Sequence, residues 1–281
     1  MRLALYAHHS SSGGLALYVL FYLRKLRDMG FEICFISNSP IPQAKERELH
    51  EICERVIQRE NTGYDFAMWH RAIAEYEIPL FDELLLTNSS IVGPVHPLEP
   101  LWQNPATSQC DFWGLTDNDE LGRHLQSYFI VFRRQVLEHP CFLEFWSSVL
   151  PLSDREQIIR RYEVGLTSWL EEHGFSWNAL FPQEQIHALL VSRRGFAEKL
   201  KNGFRPPELP RNTVMLLPDL LLECGLPFLK TKLFSGEADM RWQVDADSAM
   251  RLLQNSNLPA EVVQELRMMA GDSRGKRNQY R

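Results

Sequence analysis

At 281 residues, with 44% hydrophobic and 11% aromatic content, the chain can bury a full core as one large domain or as a domain with an appendage. A formal net charge of −6 gives no electrostatic case for nucleic acid, and five scattered cysteines without a C-x-x-C pair argue against a disulfide framework or a structural zinc site. No apolar run reaches the roughly 18 residues of a membrane span, and residues 1–9 are too short and polar for a signal peptide, so the expected location is the cytoplasm.

Residues 3–7 read as an apolar strand, and residues 8–14 as a polar loop ending in glycine. Apolar residues at helical spacing over 15–29, closed by Gly30 as a C-cap, predict a helix, and residues 31–36 a second strand ending at Ser37-Asn38-Ser39-Pro40. This β-loop-α-β opening is that of a doubly wound sheet. A charged helix over 43–55, a short strand over 56–58, a helix over 65–73 and a fourth strand over 82–87 continue the pattern. Asp65 suits a helix N-terminus. Four polar loops, near His8, Ser37, Asn61 and Asn88, thus fall at the carboxyl ends of successive strands, where such sheets bind ligands.

Past Pro97 the pattern changes. Residues 110–115 and 127–132 read as strands without room for a crossover helix between them, hence antiparallel or mixed additions. Helices over 135–149 and 154–173 follow, the second with Ser153 as N-cap and Gly174 as its end. The proline-rich stretch 203–210 predicts a hinge, and 214–267 a mainly helical unit. The last eight residues carry Arg274, Lys276, Arg277 and Arg281 and read as a solvated, frayed terminus, the alternative being a tail that grazes an anionic membrane surface. The expected organisation is one domain over 1–202, a helical unit over 203–270 packing on it, and a basic, disordered tail over 271–281.

Five motifs occur in one order: Arg59-x-Asn61-x-Gly63-Tyr64-Asp65, Asn88-Ser89-Ser90-x-x-Gly93-Pro94, Asp111-Phe112-Trp113-Gly114, His124-Leu125-Gln126-Ser127-Tyr128 and Tyr162-Glu163-Val164-Gly165. Together they resemble the rhamnan synthesis protein F family, glycosyltransferase-like proteins of bacterial surface polysaccharide assembly. The resemblance runs from residues 3–8 to residues 225–230 and covers most of the chain. It implies an α/β fold with a GT-A-like, Rossmann-type mixed sheet flanked by helices. It also implies transfer of a deoxyhexose from a nucleotide-diphosphate donor, dTDP-rhamnose foremost, to a lipid-linked or polysaccharide acceptor.

Each motif then has a candidate task beside a structural one. Ala7, His8, Ser37 and Asn38 are placed to hold the nucleoside, or make local turns. Asp65 would accept from donor hydroxyls while Arg59 holds a phosphate or braces Asp65 in a bidentate ion pair; Asn61 and Gly63 complete that loop, whose alternative is an N-cap with a salt bridge. Where GT-A enzymes usually carry Asp-x-Asp for Mg²⁺ or Mn²⁺, this chain has Asn88, Ser89 and Ser90, so a metal is expected to bind weakly if at all. Arg59, His124 and Lys230 are the cations left to meet the leaving-group charge. Lys230 stands in an apolar run and needs a partner or ligand. Asp111 and Trp113 suggest a sugar platform, against a core tryptophan, and His124 and Gln126 an acceptor contact.

Glu163 is the expected catalytic base, because its segment resembles the acidic helix-borne motif of inverting GT-A enzymes, with Val164 where that motif has a second acid. Its alternative is a surface glutamate. Two other functions compete. A catalytically silent sugar-nucleotide or glycan-binding module would fit the missing carboxylates at 88–90. A dinucleotide oxidoreductase fits worse, since Ser10-Ser11-Ser12-Gly13-Gly14 is not G-x-G-x-x-G.

Overall fold

The computed structural model describes residues 1–10, 13–193, 209–235, 246–254 and 256–278, with side chains as far as residue 271. Strand β1 (Arg2–His8) alternates its side chains between two apolar layers. Ala4 and Tyr6 face one; Leu3, Leu5 and Ala7 face the other, and all five are fully buried. Burial on both faces explains why this run is continuously apolar instead of alternating with polar residues.

Helix α1 (Leu17–Asp28), β2 (Phe31–Ser37), α2 (Gln43–Ile52), β3 (Arg55–Gln58), α3 (Tyr64–Ile73) and β4 (Glu83–Asn88) follow in turn. β1 pairs in parallel with β2 and β4, and β2 with β3, so four strands deliver their carboxyl ends to one edge. Helices α1 and α2 cover the layer of Tyr6, and α3 covers the layer of Leu5, where Trp69 Nε1 donates to the Leu5 carbonyl at 3.1 Å.

Beyond β4 the sheet becomes mixed. The later strands are β5 (Ile91–Val92), β6 (Phe112–Gly114), β7 (Asp117–Asn118), β8 (His124–Leu125), β9 (Phe129–Arg133), β10 (Trp177–Ala179) and β11 (Leu229–Lys230). The seven-stranded sheet has the order β10-β6-β9-β4-β1-β2-β3, and within it β9 alone runs antiparallel to both neighbours. This is a mixed sheet flanked by helices, as the expected α/β fold has it. Leu84, Leu85 and Leu86 at its centre are fully buried. Each such side chain stabilises the fold by roughly 1.5–3 kcal/mol.

Local chemistry corrects several expected boundaries. The helix over 135–149 is two helices, Arg134–Glu138 and Pro140–Ser147, because a proline restricts the residue before it and His139 is extended. The helix over 154–173 begins at Arg155 and is capped by Asp154, not Ser153: Asp154 Oδ1 accepts from the N–H of Glu156 at 2.8 Å. A π-helical turn, Ile159–Val164, interrupts it before Gly165–Glu172.

In the C-terminal region, helices Thr213–Leu216, Pro218–Glu223, Ala246–Leu252 and Ala260–Asn278 are described. Val214, Leu221, Phe228 and Leu266 enter the same apolar layer as Tyr6 and α1, and β11 pairs with β5. The tail expected to be disordered from residue 271 is helical through Asn278, and residues 279–281 lie outside the described residues. So do the boundary at 202/203 and most of the hinge over 203–210. Among the described residues no helix is long and apolar enough to cross a membrane.

Candidate active site

A cleft of about 1240 Å³ opens at the carboxyl ends of β1 to β4. His8, Asn38, Asn61, Gly63, Asp65 and Asn88 to Ser90 line it, so the loops after all four strands meet there as their positions in the sequence predict. His8 is 1% exposed and its Nδ1 is 2.8 Å from Ser37 Oγ. Burial, then the neighbouring His9, lowers its imidazole to about 4, so His8 is a neutral wall at physiological pH. On the β2 and β3 side, Asn38 Nδ2 donates to Asn61 Oδ1 at 2.9 Å.

Gly63 sets the approach of α3. Its φ of 74° is left-handed, and a Cβ there would stand 2.5 Å from Ala67 Cβ and 2.7 Å from Pro151 Cα. This tight entry brings Asp65 onto the end of β4, where Asn88 Nδ2 donates to Asp65 Oδ2 at 2.8 Å. Asn88 Oδ1 in turn accepts from the N–H and Oγ of Ser90 at 3.1 and 2.6 Å. Lys230, at the end of β11, donates to Ser90 Oγ at 3.2 Å and sits 3.9 Å from the centroid of the Tyr128 ring. The partner that an otherwise apolar run demanded is therefore present.

Two groups in this cluster titrate away from their usual ranges. Burial raises the Asp65 carboxyl to about 6, while the Asn88 hydrogen bond and Lys230 pull it back. Burial lowers Lys230 to about 8, opposed first by Glu163 and then by Asp65. Lys230 thus feels both carboxylates. Glu163 lies in the π-helical turn, a rare geometry that recurs at functional sites. Its Oε1 accepts from the N–H and from the Oγ of Ser127, both at 2.7 Å, and its Oε2 has no hydrogen bond among the described residues. One oxygen is anchored and the other is available. Neither Glu163 nor Lys230 lines the cleft as the closed surface stands, but both are coupled to residues that do, Lys230 through Ser90 Oγ and both through the charge of Asp65.

Several expected contacts are not made. Trp113 is fully buried against Trp102 and Phe129, so it offers no face to a sugar and belongs to the core. Asp111 precedes β6 and lies at the opposite end of the sheet, holding Ser176 N and Oγ at 2.7 Å. Arg59 does not pair with Asp65: its Nη2 donates to Thr62 Oγ1 at 3.0 Å and its Nη1 is buried without a hydrogen-bond partner among the described residues. Ala7 and Ser37 are fully buried, with the Ala7 carbonyl taken by Ser89 N–H and the Ser37 hydroxyl by His8 and Ser39; they support the cleft from beneath. His124 is buried in the β7/β8 pair with Nδ1 2.6 Å from the Gly122 carbonyl, too enclosed to meet a diphosphate. Gln126 Oε1 is occupied by Thr116 Oγ1 at 2.7 Å, although its neighbour Ser127 holds Glu163.

Other residues enter the site without having stood out in the sequence. Ser127 lies inside the His124 to Tyr128 motif, and only its contact with Glu163 gives it a task. Glu265, on the last helix, accepts from the N–H of Leu17 at 2.9 Å with each carboxylate oxygen. It caps α1, whose own Ala16 offers no side-chain cap. The helix start that follows β1, a favoured place for phosphate, is thereby already taken by a carboxylate. Of the lysines, Lys45 and Lys232 line the cleft, and Lys230 reaches Ser90 beside it.

The donor set does not fit a divalent cation held by protein ligands. Asn88 spends both ends of its amide on Asp65 and Ser90, and among the described residues no three His, Cys, Asp or Glu side chains gather.

The chain is similar to several known proteins. It is 28% identical over 170 residues to uncharacterized protein y4gN of Sinorhizobium fredii, covering 58% of this chain and 44% of that one. It is 27% identical over 143 residues to virulence protein VirA of Vibrio anguillarum, covering 49% and 45%. The chain thus spans less than half the length of these curated relatives. Among solved structures it aligns with the glycosyltransferase GlyE of Streptococcus pneumoniae at TM-score 0.43 and 14% identity, over 97% of this chain and 64% of that one. It also aligns with S. aureus TarS 1-349 at TM-score 0.39 and 13% identity, over 98% and 92%. Such distant likenesses identify neither activity nor substrate. The family model for rhamnan synthesis protein F matches residues 33–269, most of the chain, and the protein belongs to that family.

Proposed function

We propose that the protein is an inverting glycosyltransferase that moves a deoxyhexose of the rhamnose type from a nucleotide-diphosphate donor, dTDP-rhamnose foremost, to a glycan or lipid-linked acceptor. Family membership supports the sugar-transfer class. The observation that carries the mechanism is Glu163, anchored through Oε1 by Ser127 with Oε2 available, in the electrostatic field of Lys230. Inversion needs one carboxylate: Glu163 Oε2 takes the acceptor hydroxyl's proton as that oxygen bonds to the anomeric carbon. The bond from that carbon to the phosphate oxygen breaks with its electron pair, and Lys230 meets the charge on the departing diphosphate. Asp65, held by Asn88, accepts from donor hydroxyls. Action at the cytoplasmic face of the membrane, aided by the basic terminus, belongs to the same proposal.

The test is incubation of the protein with dTDP-, UDP- and GDP-sugars and a lipid-linked or polysaccharide acceptor, following release of nucleoside diphosphate. Release from dTDP-rhamnose with an α-linked product is expected. Donor binding without release would favour the silent binding module that the carboxylate-free loop at Asn88 to Ser90 also suits. Absence of any nucleotide binding would overturn both.

A further inference from the structure

Tyr64 has φ +52° and is the only non-glycine residue with positive φ among the described residues. A side chain with a Cβ reaches this left-handed region only at a cost, and such strain gathers where surrounding structure holds it for a purpose. Here the holder is visible. Gly63 before it is also left-handed and is packed so closely on Ala67 and Pro151 that no Cβ fits, which forces the chain to turn at these two residues as it enters α3. Among the described residues the other large aromatic side chains are buried or partly buried, yet Tyr64 is 46% exposed and forms part of the cleft wall. A ring held out of the core, at a backbone cost, in the wall of the ligand cleft is a stacking surface.

Its surroundings indicate which part of a ligand it meets. The groups that handle charge, Asp65, Lys230 and Glu163, are coupled to one another around Asn88 and Ser90 at the end of β4. On the β2 and β3 side the cleft instead offers the amides of Asn38 and Asn61, hydrogen-bonded to each other, with His9 Nδ1 2.8 Å from Asn38 Oδ1, and Lys45, which also lines the cleft, has its charge paired with Glu48 at 3.0 Å. Uncharged amides beside an aromatic face suit a planar heterocycle with hydrogen-bonding edges. They do not suit a diphosphate. We propose that Tyr64 is the platform on which the donor's nucleobase stacks, with Asn38 and Asn61 facing the base edge, so that Trp113's expected place as the aromatic contact passes to Tyr64. This inference rests on the nucleotide-sugar reading above.

Calorimetry on wild type, Tyr64→Phe and Tyr64→Ala separates the cases, using dTDP, UDP, inorganic pyrophosphate and dTDP-rhamnose as probes. Stacking on an aromatic side chain is worth enough that Tyr64→Ala should weaken dTDP or UDP binding by roughly tenfold or more. Tyr64→Phe should retain it, and pyrophosphate binding should be the same in all three. If Tyr64→Ala binds the nucleoside diphosphates as wild type does, the platform is refuted. If only dTDP-rhamnose binding weakens, Tyr64 contacts the sugar and the base assignment is refuted. Should Tyr64→Ala not fold, wild-type dTDP binding that quenches tyrosine fluorescence no more in wild type than in Tyr64→Phe would refute it equally. Wild type binding no nucleotide at all would overturn the functional reading together with this one.

Discussion

Asp65→Asn exchanges a charge for an amide of the same shape, whose carbonyl oxygen can still accept from Asn88 Nδ2. Burial lifts the wild-type carboxyl from 3.8 to about 6. The folded state therefore binds this proton more tightly than the unfolded chain. The stability that follows is fully present below about pH 4, is lost as pH rises towards about 6, and is absent above it. A rise of about two pH units is roughly 3 kcal/mol at most, and the partial exposure of the side chain reduces this to about 1–2 kcal/mol. The substitution should accordingly stabilise the protein at pH 7.5, raising Tm by roughly 2–6 °C, and the advantage should vanish near pH 4. Function should move the other way. Losing a hydrogen bond to a charged acceptor, worth about 1.5–3 kcal/mol, should weaken donor binding roughly ten- to a hundredfold. Thermal melts at both pH values and donor calorimetry decide this. A variant less stable than wild type at pH 7.5, or one with unchanged donor affinity and turnover, would refute the reasoning.

Glu163→Gln should keep donor affinity and lower kcat by about a hundredfold or more, measured with both substrates saturating; near wild-type turnover would rule Glu163 out as the base. The profile of kcat/KM should be bell-shaped, rising through about pH 6 as Asp65 ionises and falling through about pH 8 as Lys230 loses its proton. Lys230→Arg, charged throughout, should carry the alkaline limb upward, and an unmoved limb would assign it to another group. Activity should persist in a chelator, because the loop at Asn88 to Ser90 has no carboxylate of its own; loss of activity that Mn²⁺ restores would contradict that.

Much of the architecture is legible along the chain because its causes are local. Apolar runs, helical spacing and polar punctuation mark β1 to β4 and place four loops at one sheet edge, where the cleft lies. The asparagines and serines of those loops were legible as a group for the same reason. Which of them face the cleft was not: Ala7 and Ser37 end the same strands as His8 and Asn38 but point beneath it. Trp113 shows the difficulty most plainly. A three-residue strand does not reveal which of its faces is covered, and here Trp102 and Phe129 cover it.

What the sequence by itself determined is the family, the sheet's order of polar loops, and Glu163, Asp65 and Lys230 as residues whose chemistry needs an explanation. Only the tertiary structure decided their partners. Glu163 is held by Ser127 across 36 residues, Lys230 by Ser90 across 140, and the start of α1 by Glu265 across 248. Periodicity and capping act within a few turns of backbone, whereas such contacts depend on how distant elements pack. Burial then shifts Asp65 and Lys230 towards neutral pH, because the low-dielectric surroundings that disfavour their charges exist only once the sheet, its helices and β11 have closed around them.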